Sequence, residues 1–198
     1  KHEQNATPAT TAEGEILPPA KPERPYGFVA VAAGDGLEAL FHDLGVDHVV
    51  KGGQTMNPST DDILRAVEAT PAETVFVLPN NKNIIMAAEQ TIPLATRKVC
   101  VLHTRSIPMG ISAMLAFDEE QGTEENLLNM GKAADSVGTG LVTYAARDSE
   151  YDGYKINAGE IMALQNGKVA FLEQDMVKAV VRLCKALHKK TSAMITII

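Results

Sequence analysis

Tryptophan is absent from this sequence, and aromatic residues make up only 5% of it. Few rings are therefore on offer for stacking bases or sugars. Cysteine is scarce: Cys100 and Cys184 lie far apart, each in an apolar run, with no CxxC or CxxH spacing. That gives no metal or redox motif and suits a reducing cytoplasm. Positive charge is short as well, with 18 Lys and Arg against 25 Asp and Glu and a net charge of −7. No basic excess is present to neutralise phosphates, which argues against nucleic acid and against electrostatic docking to an anionic bilayer. No apolar run approaches the ~20 residues of a membrane span, so membrane insertion is not expected. The N-terminus lacks the apolar core of a signal peptide.

What remains is a chain of 198 residues with 45% apolar content, enough for one large domain or two small ones with a real core. Residues 1–25 carry Pro8, Pro18, Pro19, Pro22 and Pro25 among Thr, Ala and Glu. Such a mixture buries too little apolar surface to offset its ordering entropy, so it reads as a disordered linker with further protein upstream. Order is expected from Tyr26. Gly27 to Ala33 is an apolar run of strand length, as in a sheet covered on both faces. His48 to Lys51, Thr74 to Leu78 and Arg97 to Leu102 repeat the pattern. Helical stretches separate them: Leu37 to Leu44, ended by Gly45, then Thr60 to Ala69, then one opening at Ile84. Four strand–loop–helix units predict an α/β fold, a parallel sheet with helices on both faces.

The rhythm changes after a turn at Pro108–Gly110. Ile111 to Phe117 and Thr123 to Ser136 read as helices, the second with Leu127, Leu128, Met130 and Ala134 inward. Leu141 to Ala146 reads as a strand. Ile161 to Gln165 and Lys168 to Leu172 flank Asn166-Gly167, a two-residue hairpin turn. Asp175 should cap a helix with Val177, Val180, Cys184 and Leu187 on one face. Ala193 to Ile198 reads as a last strand cut short by the chain end, which suggests truncation. A smaller α+β part with a β-hairpin thus follows the parallel sheet, within one domain over residues 26–198.

Ligands of open parallel sheets bind beyond the carboxyl ends of the strands. Four loops lie there: Gly34 to Gly36, Gly52 to Thr60, Pro79 to Asn83, and His103 to Ser106. The second, GGQTMNPST, is the densest. Gly52 and Gly53 leave backbone room, and Ser59 is a natural N-cap with Asp62 completing a capping box. The polar groups at this edge are Gln54, Thr55, Asn57, Ser59, Thr60, Asn80, Asn81, Asn83, Thr104 and Ser106. They donate and accept hydrogen bonds, and none is by itself a general base or an activated nucleophile. Such a set suits holding a polar head group or facing another protein. Gly34-x-Gly36-x-x-Ala39 formally matches a dinucleotide fingerprint, but Asp35 would face the pyrophosphate and strand two ends in Lys51 instead of an acid. Asp61 and Asp62 fill the first helical turn after the glycine pair and would repel an anion. No Gly-Lys-Ser/Thr triplet marks a P-loop. His103, a lone histidine, is read as a structural hydrogen bond over an acid–base group. Arg147, at a strand end, can fork to a carboxylate or phosphate; a surface ion pair with Asp148 or Glu150 is the plainer reading. Met56 and Met109 are placed in loops, as adaptable contacts or folded back on the core.

Four blocks, GGQTMNPSTDDIL, VLPNNKNIIMAAEQ, TRSIPMGISAMLAF and TGLVTYAARD, resemble the C-terminal domain of the ATP-binding subunit of bacterial fatty acid kinase, in the dihydroxyacetone-kinase-related, FakA-like family. The resemblance runs from Tyr26 to Ile198 and implies a DegV-like fold. It implies that ATP and magnesium belong to an N-terminal kinase domain, joined through a middle domain, leaving no catalytic residue, metal or cofactor in this stretch. The implied partner is a DegV-like fatty-acid-binding protein whose acyl carboxylate is phosphorylated for phospholipid synthesis in the cytoplasm. A homodimer of the full-length protein is a further expectation. DegV-like carriers hold the carboxylate with a Thr-Ser-Gln-Pro-Ser loop after strand two and a Ser-rich loop after strand three. Gly53 to Ser59 and Asn80-Asn81-Lys82-Asn83 stand at those places here, with Gln54 and Ser59 as echoes and Asn in place of Ser. The resemblance therefore implies a docking domain that contacts the carrier through these loops. The alternative is a domain that binds a small molecule or lipid head group itself. A hydrolase is a third class, one that lacks a nucleophile–base pair.

Overall fold

The computed structural model describes residues 9–10, 16–52, 57–151, 153–190, 192, 195 and 197. The chain divides into two compact units, meeting in sequence between Ser136 and Val137. The first opens with two short antiparallel strands, β1 (Ala9–Thr10) and β2 (Ile16–Leu17). Its body alternates β3 (Arg24–Ala32), α1 (Asp35–Asp43), β4 (His48–Lys51), α2 (Thr60–Ala69), β5 (Ala72–Leu78), α3 (Ile85–Glu89) and β6 (Lys98–Val101). Two helices follow, α4 (Ile107–Leu115) and α5 (Thr123–Ser136). The body strands pair in the order β4-β3-β5-β6, every pairing parallel.

Strand side chains alternate between faces, and both faces are apolar here. Phe28, Ala30, Phe76 and Cys100 point to a core built with α1, α4 and α5. Val29, Val31, Val75 and Val99 point to a second core built with α2 and α3. A continuous apolar run such as GFVAVAA is what a strand covered on both sides requires. The first core also gathers rings. Phe28 stacks on Phe76 at 5.7 Å, and Phe117 meets Phe28 edge-on at 4.8 Å. Tyr26 joins the group with its hydroxyl donating to the Gln121 carbonyl at 2.9 Å.

Local signals explain the element ends. Gly45, at φ 94°, closes α1: its N–H bonds the His42 carbonyl, and the Val46 N–H bonds that of Phe41. This left-handed closure favours glycine. Ser59 and Asp62 form the expected capping box on α2.

Several expectations are corrected. β3 begins at Arg24 instead of Gly27. Gly36 lies inside α1, so the Gly34–Gly36 loop shrinks to a cap at Gly34. The Pro108–Gly110 turn is the first part of α4, because proline is compatible with a first helical turn. Met109 is consequently buried in a helix instead of standing in a loop. On α5, Leu127 and Leu128 are exposed, while Asn126 is buried with Met130 and Ala134. Asn126 wins the inward position because it satisfies the turn before the helix. Its Oδ1 accepts from the Asp118 N–H at 2.9 Å, and its Nδ2 donates to the Asp118 carbonyl at 2.8 Å.

The second unit holds β7 (Gly140–Tyr144), β8 (Ser149–Tyr151), β9 (Tyr154–Ile156), β10 (Ile161–Gln165), β11 (Lys168–Glu173) and α6 (Met176–Leu187). The order β11-β10-β7 is antiparallel throughout, and β8 and β9 form a separate hairpin. Asn166 (φ 50°) and Gly167 (φ 81°) make the β10–β11 turn, as their sequence demands. Asp175 caps α6, accepting from the Lys178 N–H at 2.8 Å. The buried face of α6 is Ala179 and Leu183, flanked by Met176 and Leu187; of the expected Val177, Val180, Cys184 and Leu187, Leu187 packs on this core, while Val177 is exposed and Ala179 and Leu183 take the innermost places. Small Ala179 lets the helix approach the sheet. The expected strand at residues 193–198 falls largely outside the described residues. No described helix is long and apolar enough to cross a membrane.

Candidate functional site at the carboxyl ends of the parallel strands

After β3 the chain turns to α1 on one face of the sheet, and after β5 it turns to α3 on the other. The point between those two strands is where open α/β sheets take ligands. Asn80, two residues past β5, fills it. Asn80 is buried and sits at φ 56°, a left-handed conformation that asparagine tolerates better than most residues. Its N–H donates to the Thr104 hydroxyl at 3.0 Å, and its Nδ2 donates to the Val31 carbonyl of β3 at 3.0 Å. Its side chain lies against α4 where that helix has no side chain: a Cβ on Gly110 would stand 2.1 Å from Asn80 Oδ1. One asparagine thus links the loop after β6 through its backbone N–H, and β3 and α4 through its side chain. Thr104 is fully buried. Ser106 is the N-cap of α4 but makes no side-chain cap bond, and its Oγ is buried without a hydrogen-bond partner, as is Asn80 Oδ1.

The remaining loop residues face outward. The Gly52 N–H donates to the Ala32 carbonyl at 3.1 Å, extending the β3–β4 ladder. Gly53, Gln54, Thr55 and Met56 lie outside the described residues. Asn57, Ser59 and Asn83 are exposed. Ser59 is committed to its cap: its Oγ accepts from the Asp62 N–H at 3.1 Å while its own N–H donates to Asp62 Oδ2 at 2.8 Å. Thr60 donates to Gln90 Oε1 at 2.8 Å. Asn81 Oδ1 accepts from the Asn83 N–H at 2.9 Å, a side-chain turn that sets the loop. His103 Nε2 lies 2.8 Å from Glu89 Oε1, both exposed. Arg147 belongs to the second unit, where it is exposed and forms no ion pair among the described residues. Asn80 and Thr104 therefore come together as a buried knot, and Asn57, Ser59, Asn81, Asn83 and half-buried Ser106 are loop residues at the same strand ends.

This arrangement holds positions and presents amides. Cys100 is buried, and burial pushes its thiol up despite the opposing charge of Lys98, leaving an inert side chain. Among the described residues no three His, Cys, Asp or Glu side chains stand close enough to hold a metal ion.

A second buried polar knot, which the sequence did not reveal, lies at the amino ends of the strands. Arg97 precedes β6 and has only 5% of its side chain exposed. It donates to the carbonyls of Thr70, Glu68 and Ala20, and pairs with Glu68 Oε2 at 3.2 Å. Glu68 also accepts from the Thr96 N–H at 2.7 Å and its hydroxyl at 2.6 Å. Burial raises the Glu68 pKa, but the Thr96 hydrogen bonds and the Arg97 charge outweigh it, so the carboxyl ends below its ordinary value. The only sequence signal was a lone arginine at a strand start.

Residues 27–198 match the FakA-like C-terminal family, the C-terminal domain of FakA-like fatty acid kinase subunits. Protein YloV of Bacillus subtilis (strain 168) is 42% identical over 181 residues, 91% of this chain and 32% of that protein. The uncharacterized protein SERP0792 of Staphylococcus epidermidis is 39% identical over 171 residues, 86% of this chain and 31% of that protein. The uncharacterized protein SAUSA300_1119 of Staphylococcus aureus is 36% identical over the same length. The chain spans about a third of the length of these relatives. On this match the chain belongs to the FakA-like C-terminal domain family of fatty acid kinase.

Proposed function

We propose that this domain is a non-catalytic docking module of a fatty acid kinase-like protein. In this reading its fold is DegV-like, and its partner is a DegV-like protein carrying a fatty acid. The acyl carboxylate is phosphorylated by ATP with magnesium on a separate kinase domain, in the cytoplasm, as a step toward phospholipids. The observation that carries the reading is Asn80. Its side chain, tied to the Val31 carbonyl and pressed on Gly110, occupies the place where a small ligand of an open sheet would sit. The exposed amides of Asn57 and Asn83 are left to face a macromolecule.

The test is a calorimetric titration of this chain with an acyl-loaded DegV-like carrier. Saturable binding that weakens about tenfold on Asn57→Arg or Asn83→Arg is the expected result, the size of one lost anchoring contact. No binding by folded protein overturns it. The alternative, a head-group site in this domain, draws on Ser106 Oγ and Asn80 Oδ1, buried without partners. It requires a fatty acid or phosphate adduct in native mass spectra of the purified chain.

A further inference from the structure

Two exposed faces of the chain are complementary in charge and in apolar content. The first surrounds the start of α5. Asp118, Glu119, Glu120, Glu124 and Glu125 follow one another with no Lys or Arg before Lys132. All five are exposed, and Leu115 and Leu128 beside them are 62% and 55% exposed. The patch is held in shape. Buried Asn126 binds the Asp118 N–H and carbonyl and the Gln121 carbonyl, and the Glu120 N–H donates to Asp118 Oδ1 at 3.0 Å. Leu128 is exposed because Asn126 takes the inward place.

The second face is the outer side of α6. From Met176 to Lys190 the sequence has five basic residues, Lys178, Arg182, Lys185, Lys189 and Lys190, and no acidic one. With Ala179 and Leu183 turned to the sheet, the outer side presents Val177 and Val181, 71% and 47% exposed, beside Lys178, Arg182 and Lys185. This face is also partly fixed: the Arg182 guanidinium sits 4.0 Å over the Phe171 ring. A protein of net charge −7 that concentrates positive charge on one helix has a localised electrostatic handle.

We infer that α6 of one copy of this chain docks on the acidic, leucine-bearing entrance to α5 of a second copy. The carboxylates meet Lys178, Arg182 and Lys185 around a pair of apolar spots, Leu115 and Leu128 against Val177 and Val181. That is the arrangement of an interface with an apolar centre and a charged rim. The valines are small and no aromatic side chain stands among them, so the face suits a protein better than a bilayer, whose helices carry Trp, Phe or Leu. Opposite charges in the rim fix the pairing and make it salt-dependent.

Sedimentation of the whole chain over a wide concentration range tests this. The expected result is mass rising with concentration at low salt and reverting to monomer at about 1 M salt, where the screening length is about 3 Å. Lys178→Glu with Lys185→Glu, or Glu120→Lys with Glu124→Lys, should each weaken association by about tenfold or more. Mixing the two reversed chains, or combining both reversals in one chain, should restore it. Unchanged circular dichroism in each variant separates lost docking from lost folding. A chain that stays monomeric at every concentration overturns the inference, and so does an association indifferent to either reversal. Binding of the unmodified chain to anionic vesicles without self-association would assign α6 to a lipid surface instead.

Discussion

At the carboxyl ends of the parallel strands the buried polar knot is neutral, and at the amino ends it is charged. Asn80 and Thr104 join β3, the loop after β6 and α4 with an amide and a hydroxyl. Arg97 and Glu68 join the end of α2, the starts of β5 and β6, and Ala20 with a guanidinium and a carboxylate. Both do the same mechanical work, fastening segments that leave the sheet in different directions. The difference lies in what each tolerates. A neutral knot depends on fit, because a few ångströms of misplacement leave an amide unpaired. A charged knot depends on its charges, because a buried ion without its partner is costly. The neutral knot stands at the edge where the exposed loops lie, and the charged one holds the opposite end of the sheet.

The largest effect should come from removing the charge. Arg97→Met leaves several carbonyls without their donor and Glu68 without its cation, and should cost about 3–5 kcal/mol, read as a fall in the urea midpoint. Arg97→Lys should recover only part, since an ammonium cannot spread its donors as the guanidinium fork does. A loss under about 1 kcal/mol would place Arg97 with ordinary surface pairs and end the contrast.

Next in size is a test of fit. Gly110→Ala puts a methyl group where Asn80 stands, and should cost about 1–3 kcal/mol. Asn80→Gly removes the obstruction and suits the left-handed backbone, so adding Gly110→Ala to Asn80→Gly should cost much less. A double-mutant cycle with no coupling would mean that the contact does not set the packing of α4.

The same contrast explains what could be read from the sequence. Apolar runs and turn residues act locally, so four parallel strands, the capped start of α2 and the Asn166-Gly167 hairpin were legible. Phase was harder to read where a polar residue had a private reason to be buried. Asn126 displaced Leu127 and Leu128 because it completes a turn eight residues upstream. On α6 the innermost places went to Ala179 and Leu183 instead of Val177 and Val180, with Leu187 inward as expected. The site was half legible. Placing Asn80 and Thr104 at the strand ends followed from topology. Their bond to each other joins residues 24 apart in sequence, and Arg97 reaches 77 residues back to Ala20. No local pattern encodes such distances.

A smaller effect separates two serines at the carboxyl edge. Ser59→Ala breaks a complete capping box and should cost about 1 kcal/mol. Ser106 caps α4 by position only, with an Oγ that makes no hydrogen bond. Ser106→Ala should therefore be neutral within about 0.5 kcal/mol or slightly stabilising. Equal losses at both would mean that Ser106 has a partner, which would favour the head-group reading of this edge.

The smallest effect is the one that separates the two knots most cleanly. Glu68 has its carboxyl held below the ordinary range by Thr96 and Arg97 against the opposing pull of burial. A group whose folded pKa is depressed stabilises the fold above its unfolded pKa, about 4.3 for glutamate. It loses that contribution as pH falls through the folded value. The stability difference between the unmodified chain and Glu68→Gln should thus be constant near neutrality. It should begin to shrink around the unfolded pKa and level off below the lowered one. Asn80, Thr104 and the Val31 carbonyl do not titrate there, so the cost of Asn80→Gly should stay level across the same window. Urea unfolding of the three proteins at several acidic pH values reads both curves. If the Asn80→Gly cost shrank along with that of Glu68→Gln, the two ends of the sheet would be coupled through the strands, and the carboxyl-end knot could not be treated as independent of charge.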